Sequence, residues 1–262
     1  MTDWDMKMEN IRNGNVTEEN MAEENVSPGN RYLRQIPVIG EDGCRRLQKS
    51  TVFIAGAGGL GSPVALYLAS AGVGAIRIAD MDCVEESNLN RQILHHESRT
   101  GENKALSAKK TLEAANSRCR VEAFPEKITE ESALRLIGDA DLIIDCLDNF
   151  EARYVLNRAA LRLEKPLLHA AVSGYSGQLT LIIPGKTPCL SCIFPKAETG
   201  HSSPALGAAC GVVGSLQALE AVRVLTGRPT LEGKLLLYDG SSNTLNSFSV
   251  KKSARCPECG GR

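Results

Sequence analysis

The chain contains 262 residues, 42% of them hydrophobic, and its 30 Lys and Arg residues almost balance its 31 Asp and Glu residues. This length suffices for one substantial core, and the balanced charge excludes binding to nucleic acid or to an anionic membrane through overall electrostatic attraction. The start of the sequence shows no signal-peptide pattern, and the longest apolar segment, Gly207–Leu225, contains Gln217, Glu220 and Arg223. We therefore expect a cytoplasmic protein with no membrane or nucleic-acid partner.

Residues 1–30 form an acidic stretch without apolar periodicity that ends in a Ser-Pro-Gly-Asn linker. We predict a disordered N-terminal extension here, with a helix over residues 15–24 as the alternative. Arg31 and Arg34 follow one helical turn apart, before a short amphipathic segment at residues 41–47. Two arginines on one face can grip an anion, although a solvated basic turn has the same pattern.

The glycine-rich segment at residues 52–61 is the most informative stretch. A short apolar run leads into glycines spaced G-x-G-x-x-G, and an apolar-periodic segment follows over residues 63–71. This pattern predicts a strand, a tight turn and the N-terminus of a helix, where free N–H groups and the helix dipole bind a phosphate. The glycines are Gly56, Gly58, Gly59 and Gly61. The pattern predicts a nucleotide site but does not distinguish NAD, FAD and ATP.

The second predicted strand, residues 75–80, ends in an acidic residue that suits the ribose of a bound nucleotide. Asp80 follows the last glycine by about 20 residues, the distance at which Rossmann folds place a carboxylate on the ribose hydroxyls. A plain strand cap is the alternative reading of Asp80. Asp82 lies close enough in sequence to take the same role.

Polar and cationic residues after the second strand favour a triphosphate ligand. The candidates in the segment 85–92 are Ser87, Asn88, Arg91 and Gln92. Asn103 predicts the N-cap of a helix that begins with Lys104. The single pyrophosphate of a dinucleotide has little use for both Arg91 and Lys104, whereas ATP that loses pyrophosphate needs such cations.

The alternation of strands and helices predicts an α/β fold. The next predicted elements are a strand at 120–123, a helix at 130–137, a strand at 141–145, a helix at 151–163 and a strand at 166–172. Right-handed crossovers give a Rossmann-like, doubly wound, mainly parallel sheet with helices on both faces. The strand at 177–184 has no helix before it, so we expect an antiparallel extension that includes strands at 234–238 and 244–250.

Asp148 and Asn149 follow the apolar strand at 141–145 and therefore lie at the ligand-binding edge of the predicted sheet. A hard oxygen ligand beside a triphosphate is what Mg²⁺ requires, so we assign Asp148 this role ahead of Asp145, with simple capping as the alternative. His169 and His201 are isolated in the sequence, and we assign neither a role.

Two C-x-x-C pairs predict a closed metal site. The pairs are Cys189 with Cys192 and Cys256 with Cys259. Each pair has the spacing of a zinc knuckle, and two pairs complete a tetrahedral zinc site with four cysteine ligands. Exposed redox thiols are the alternative. Because such a site is closed, we expect the zinc to hold the C-terminal segment in place without taking part in the reaction.

The assembled motifs resemble those of the ThiF/MoeB/HesA superfamily, bacterial relatives of ubiquitin-activating enzymes. The likeness runs from about residue 31 to the C-terminus and rests on the arginine pair, the glycine turn, the later polar motifs and both C-x-x-C pairs. We therefore predict one adenylation domain over residues 31–262. Its nucleotide-binding part covers about residues 50–173, and its antiparallel, zinc-binding part covers about 174–262.

The resemblance implies ATP-dependent adenylation of the C-terminal glycine carboxylate of a small β-grasp sulfur carrier protein ending in Gly-Gly, with release of pyrophosphate. By resemblance, Asp80 contacts the ribose, and Asp148 is associated with Mg²⁺. Asn88, Arg91 and Lys104 resemble the residues that grip the triphosphate. Arg34 matches an arginine that reaches into the neighbouring subunit's site, which implies a homodimer. The carrier and its pathway stay open among thiamine, molybdopterin, another sulfur-containing metabolite and tRNA thiolation.

One departure from the family concerns cysteine. Members that bind the carrier covalently have a cysteine between the first C-x-x-C and the next helix, and residues 193–206 contain none. Cys210 follows in an apolar setting that raises the pKa of a thiol, so a small packing residue is its expected role. We predict an enzyme that only adenylates, with a separate sulfur donor.

Three other functions share parts of the pattern. An NAD(P)-dependent oxidoreductase explains the glycine turn and Asp80 but leaves Arg91, Lys104 and the cysteine pairs without a role. A non-catalytic scaffold of the same fold does not need the phosphate-binding residues. A tRNA-modifying cyclase of the same superfamily fits the length and the cysteine pairs less well.

Overall fold

The computed structural model describes residues 31–195, 197 and 204–260. The predicted extension at 1–30, its alternative helix and His201 lie outside the described residues. The chain divides into two units, Met1–Arg34 and Gln35–Arg262. In the first unit, residues 31–34 form a turn.

The second unit alternates strands and helices. Its helices are α1 (Ile36–Lys49), α2 (Gly61–Ala71), α3 (Lys104–Ala115), α4 (Ala133–Ile137), α5 (Phe150–Leu163), α6 (Leu190–Ile193) and α7 (Gly207–Leu225). Its strands are β1 (Thr51–Ala55), β2 (Ala75–Ala79), β3 (Arg120–Phe124), β4 (Leu142–Asp145), β5 (Leu167–Ser173), β6 (Ser176–Ile182), β7 (Lys234–Asp239) and β8 (Thr244–Ser249). Short 3-10 helices lie at Glu86–Asn88 and Glu97–Arg99.

The strands form one eight-stranded sheet in the order β3-β2-β1-β4-β5-β6-β7-β8. Pairs among β1 to β5 are parallel, whereas β5 with β6, β6 with β7 and β7 with β8 are antiparallel. The predicted α/β fold, a mainly parallel sheet with an antiparallel extension, is confirmed. The strand order reverses between β1 and β4, which opens a crevice at their carboxyl ends.

Helices cover both faces of the parallel part, and this explains its continuous apolar strands. On β1, Val52 and Ile54 belong to one core cluster, and Phe53 and Ala55 belong to another on the opposite face. Helices α2, α3 and α7 supply the first cluster, and α4 and α5 supply the second. The strands that form the crevice are therefore packed between helices on both faces of the sheet.

Helix α7 is, among the described residues, the helix whose length and composition would suit a membrane span. It packs instead against α2 and β5. Its Gln217 is fully buried and donates hydrogen bonds to the carbonyls of Asp145 and Leu168, and Glu220 accepts from the N–H of Leu231. These internal hydrogen bonds are those of a core helix in a globular domain.

Helix α1 is longer than the amphipathic segment predicted at 41–47. It begins at Ile36 and contains Gly40 at φ 74°, a left-handed conformation that interrupts the regular helix. The sequence signal covered only the regular part after this kink.

Candidate functional site

The glycine turn connects β1 to α2 at the crevice. Gly56 has φ +97°, and a Cβ there would lie 2.7 Å from the carbonyl oxygen of Cys146. A Cβ on Gly61 would lie 2.0 Å from the carbonyl oxygen of Gly56. These two glycines are therefore required by close backbone packing, because no side chain fits at either position.

Gly58, in contrast, has open space beside it in a cavity. A Cβ on Gly58 would meet only the Gln92 side chain, at 3.6 Å. Within the described part of the chain, the N–H groups of Gly58, Gly59 and Leu60 donate no hydrogen bond. Free amides at a helix N-terminus are an anion-binding arrangement, so the turn fits the phosphates of a nucleotide.

The cavity has a volume of about 1760 Å³. Sites for small molecules usually measure about 300–1,000 Å³, so this one has room for a nucleotide and a second substrate. Ten of the predicted site residues line it: Gly56, Gly58, Gly59, Asp80, Asp82, Arg91, Gln92, Lys104, Asp148 and Asn149. The structure thus brings together residues that are far apart in the sequence.

Other predicted residues lie elsewhere. Ser87 and Asn88 belong to a 3-10 turn in which Asn88 accepts a hydrogen bond from the N–H of Glu85, and neither lines the cavity as described. The neighbouring Asn90 does line it. Arg34 is an exposed residue of the N-terminal unit.

Asp80 is fixed in place by the backbone around it. One carboxylate oxygen accepts from the N–H of Ala57 at 2.8 Å, and the other accepts from the N–H of Asp82 at 2.9 Å. Burial raises the pKa of Asp80, and these two N–H groups offset part of that rise. The carboxylate is therefore tied directly to the glycine turn at the wall of the cavity.

The two cations of the site are held in different ways. The Lys104 side chain is 8% exposed, and its ammonium lies 3.1 Å from the Asp82 carboxylate. Arg91 donates to the carbonyl of Ser87 and to the side chain of Asn90, both at 2.9 Å. Buried Gln92 has a side-chain oxygen without a partner among the described residues. The cavity wall therefore carries two positively charged side chains, one of them paired with Asp82.

Asp148 and Asn149 form the opposite wall. The Asn149 side chain caps α5 by accepting from the N–H of Ala152 at 2.9 Å, and it donates to Asp148 at 3.1 Å. The second carboxylate oxygen of Asp148 has no partner in the described structure, and the residue is exposed to the cavity. Such an oxygen fits a hard cation such as Mg²⁺.

A second half of the cavity was not predicted from the sequence. It is lined by Phe150 and Arg153 of α5, by Gln178 of β6, and by Tyr238 and Phe248 of the antiparallel strands. Arg153 is buried, donates to the carbonyl of Leu147 at 2.5 Å and stacks on the Phe150 ring at 4.9 Å. A polar Gln178 beside the apolar run at 179–183 was the available sequence signal.

The four paired cysteines converge away from the cavity. Their sulfur atoms all lie within 4.8 Å of one another, with 3.6 Å between Cys189 and Cys256 and 3.4 Å between Cys192 and Cys259. A tetrahedral zinc with bonds of about 2.3 Å separates its sulfur ligands by about 3.8 Å. The cluster thus has the geometry of a metal site and not of two disulfides.

Cys210 lies in the first turns of α7 and is 3% exposed. A Cβ on Gly59 would be only 2.9 Å from its sulfur, so the thiol packs directly under the glycine turn. Burial raises the pKa of Cys210. Burial makes this thiol a weaker nucleophile, and Cys210 is also among the residues that line the cavity.

The chain is similar to known proteins whose names include the term adenylyltransferase. A sulfur carrier protein adenylyltransferase from Thermus thermophilus is 43% identical over 245 residues, which cover 88% of this chain and 90% of that protein. The adenylyltransferase and sulfurtransferase MOCS3 from Dictyostelium discoideum is 41% identical over 243 residues, which cover 88% of this chain and 57% of that protein. The chain therefore spans just over half the length of this MOCS3 relative.

The crystal structure of E. coli MccB has the same fold. It superposes with a TM-score of 0.82 at 24% sequence identity, covering 91% of this chain and 74% of MccB. A model of the ThiF family matches residues 32–260. Because this match extends over most of the sequence and includes the glycine turn, the cavity wall and the cysteine cluster, the chain belongs to the ThiF family.

Proposed function

We propose that this chain is an adenylyltransferase that uses ATP to activate the C-terminal glycine carboxylate of a small ubiquitin-like sulfur carrier protein. The observation that carries the proposal is the continuity of the cavity. Its glycine turn, Arg91 and Lys104 suit a triphosphate, and its antiparallel half leaves room for an extended peptide.

The reaction needs no nucleophile from the enzyme. A carboxylate oxygen of the carrier attacks the α-phosphorus of ATP, a new C–O–P linkage forms, and the bond to the β-phosphate breaks. Pyrophosphate leaves with the bonding electrons. Arg91, Lys104 and the free amides of the glycine turn neutralise charge on the phosphates, so positioning and electrostatics supply the catalysis.

Mg²⁺ and Zn²⁺ are assigned to different places. Asp148 would hold Mg²⁺, which neutralises triphosphate charge when it is bound. The cluster of Cys189, Cys192, Cys256 and Cys259 would hold a structural Zn²⁺. The free thiols of the chain suit a reducing compartment, in agreement with a cytoplasmic location.

The site distinguishes this function from its competitors. An oxidoreductase would not need Lys104 and Arg91 on the wall beside the glycine turn, and family membership also favours adenylation. A non-catalytic scaffold would not need the free amides of the turn or the Asp148 carboxylate oxygen that has no partner among the described residues. Carrier-dependent release of pyrophosphate separates an enzyme from a scaffold.

We expect Asp148→Ala to abolish carrier-dependent ATP–pyrophosphate exchange while leaving the thermal unfolding temperature close to that of the wild type. Asp148 is exposed at the cavity, so its removal takes away a charge and little packing. Exchange is measured with radioactive pyrophosphate and a carrier ending in Gly-Gly. Unchanged exchange would contradict the assignment.

Cys210→Ala provides a second arm of the same experiment. If Cys210 only packs against the glycine turn, this variant keeps both exchange and delivery of sulfur to the carrier from a separate donor. Retained exchange with lost sulfur delivery would instead make Cys210 a covalent participant.

The proposed homodimer has a suitable surface. Helix α2 packs beside α3 and α7 in one layer, and each of the three exposes large apolar side chains. The exposed residues are Tyr67, Leu106, Val212 and Leu219, at 59%, 41%, 39% and 47%. Exposed apolar side chains on one layer of helices suit an interface with a second copy.

A further inference from the structure

A buried Asp145–His169 pair lies beneath the cavity and has no role in the chemistry described above. Both side chains are fully buried, and His169 Nδ1 lies 2.7 Å from an oxygen of Asp145. Buried charged or polar pairs of this kind are costly to keep unless each hydrogen bond is satisfied. The partners of the two side chains therefore indicate what the pair holds in place.

The tautomer of His169 follows from its surroundings. The Asp145 carboxylate accepts a hydrogen bond, so Nδ1 carries the proton. Burial lowers the pKa of His169, with a smaller opposite effect from Asp145, so the ring is neutral and Nε2 has a free lone pair. The amide nitrogen of Gln178 lies 3.3 Å from this Nε2 and donates to it.

This hydrogen bond fixes the orientation of the Gln178 amide. Its nitrogen must face His169, so its oxygen must face away from the histidine. Within the described structure this oxygen accepts no hydrogen bond, and Gln178 lines the cavity. The cavity therefore contains a hydrogen-bond acceptor, the Gln178 side-chain oxygen, whose direction is set by His169.

Asp145 also holds the opposite wall. Its second oxygen accepts from the N–H of Leu147 at 3.0 Å, and Arg153 Nε lies 3.7 Å from the oxygen that His169 contacts. Leu147 immediately precedes Asp148. The buried Asp145 carboxylate is thus linked to the segment that carries Asp148 and, through His169, to Gln178 of β6.

We propose that the Asp145–His169 pair is a positioning device that directs the Gln178 side-chain oxygen toward the acyl substrate, where it accepts a backbone N–H of the extended C-terminal peptide. This inference rests on the proposed function. Gln178 contacts the substrate peptide, and His169 acts through Gln178. The nucleotide half of the cavity does not depend on this contact.

Two substitutions of His169 separate its two hydrogen bonds. His169→Asn keeps a donor near the Nδ1 position and removes the acceptor at Nε2, so the Gln178 amide loses its fixed orientation. His169→Gln reaches the Nε2 position with an oxygen and so retains an acceptor for Gln178. Thr180→Val is the matched control, since Thr180 lies on β6 near Gln178 but bonds to the carbonyl of Lys234 outside the cavity.

The probe is a fluorescent synthetic peptide that ends in Gly-Gly with a free carboxylate, and its binding is measured beside that of a non-hydrolysable ATP analogue. We expect His169→Asn and Gln178→Ala each to weaken peptide binding about tenfold, the effect of one lost hydrogen bond, and to leave the ATP analogue unaffected. The double variant should be no weaker than either single variant. His169→Gln and Thr180→Val should bind the peptide like the wild type.

Equal peptide binding by Gln178→Ala and the wild type would overturn the inference. If His169→Asn weakened the binding of the peptide and of the ATP analogue equally, the variant would have a general structural defect, and the inference would be overturned too. Gln178→Ala leaves Asp145 and His169 paired, so it tests the contact even if a histidine variant fails to fold. Absence of ATP–pyrophosphate exchange in the wild type contradicts the proposed function separately.

Discussion

The glycine motif shows at the scale of single residues that one sequence pattern combines two physical requirements. Gly56 allows the turn to pack against the carbonyl of Cys146 and Gly61 allows it to pack against the carbonyl of Gly56, whereas Gly58 leaves space in the cavity. Substitution by alanine should therefore lower stability at Gly56 and Gly61 but weaken ligand binding at Gly58. The same small side chain disturbs folding at one position and ligand binding at another.

We expect Gly61→Ala to lower the free energy of unfolding by roughly 3 kcal/mol or more, because its Cβ would overlap a backbone oxygen that cannot move freely. Gly58→Ala should change the free energy of unfolding by less than about 1 kcal/mol. It should weaken the binding of ATP by at least about tenfold, because its methyl group occupies space for the phosphates. Urea denaturation and calorimetric titration with the ATP analogue measure the two effects. Similar stability losses in both variants would contradict this division.

The residues predictable from the sequence are those in local motifs. Asp80 comes directly after β2 and Asp148 comes shortly after β4, so the parallel sheet places both at the crevice. Gln178 and Arg153 reach the cavity through the pairing of β5 with β6 and the packing of α5, which no spacing in the sequence specifies. Asn149 was predicted at the site, and the structure also makes it the cap of α5.

At the scale of elements, helix α5 connects the cavity to the cysteine cluster. Its N-terminus carries Asn149 beside Asp148. Farther along, the Asn157 side chain accepts from the N–H of Leu190 at 2.9 Å, and Tyr154 donates to the carbonyl of Phe194. Arg158 pairs with Glu258 between the last two cysteines. The helix therefore contacts both C-x-x-C segments as well as the nucleotide side of the cavity.

Removing the metal should affect the C-terminal segment more than the nucleotide site. We expect Cys256→Ser, or treatment with a strong chelator, to expose residues 250–260 to protease while the ATP analogue still binds with unchanged affinity. Zinc content is measured by mass spectrometry and cleavage by limited proteolysis. Simultaneous loss of nucleotide binding would show that the metal also supports the catalytic half.

Most elements were predictable because hydrophobic periodicity alternates clearly between strands and helices. The residues of α7 were predicted as one apolar segment, and the structure has the same bounds. The short helix α6 was not predicted, since it is held by Asn157 from a distant helix. Contacts of this kind leave no local pattern in the sequence.

At the scale of the whole molecule, the proposed homodimer and the role of Arg34 can be tested together. If Arg34 acts in the neighbouring subunit's site, a heterodimer of Arg34→Ala and Asp148→Ala chains contains one intact site. We expect random mixing to restore about a quarter of the wild-type exchange activity, because half of the dimers are mixed and each has one working site.

Each variant alone should show no exchange before it is mixed. The mixture is prepared by unfolding and refolding the two chains together, and its mass in solution is measured by light scattering. A monomeric wild type, or a mixture that stays inactive, would contradict action between subunits.

Strand β5 has a consequence for how this protein can evolve. It pairs in parallel with β4 on one side and antiparallel with β6 on the other. Strands beyond it contribute none of the residues assigned to ATP, and the outermost strand, β8, is exposed along its length. Under the proposed function the carrier peptide binds beside β7 and β8, so substitutions on these strands can change which carrier is bound without altering the residues that bind ATP.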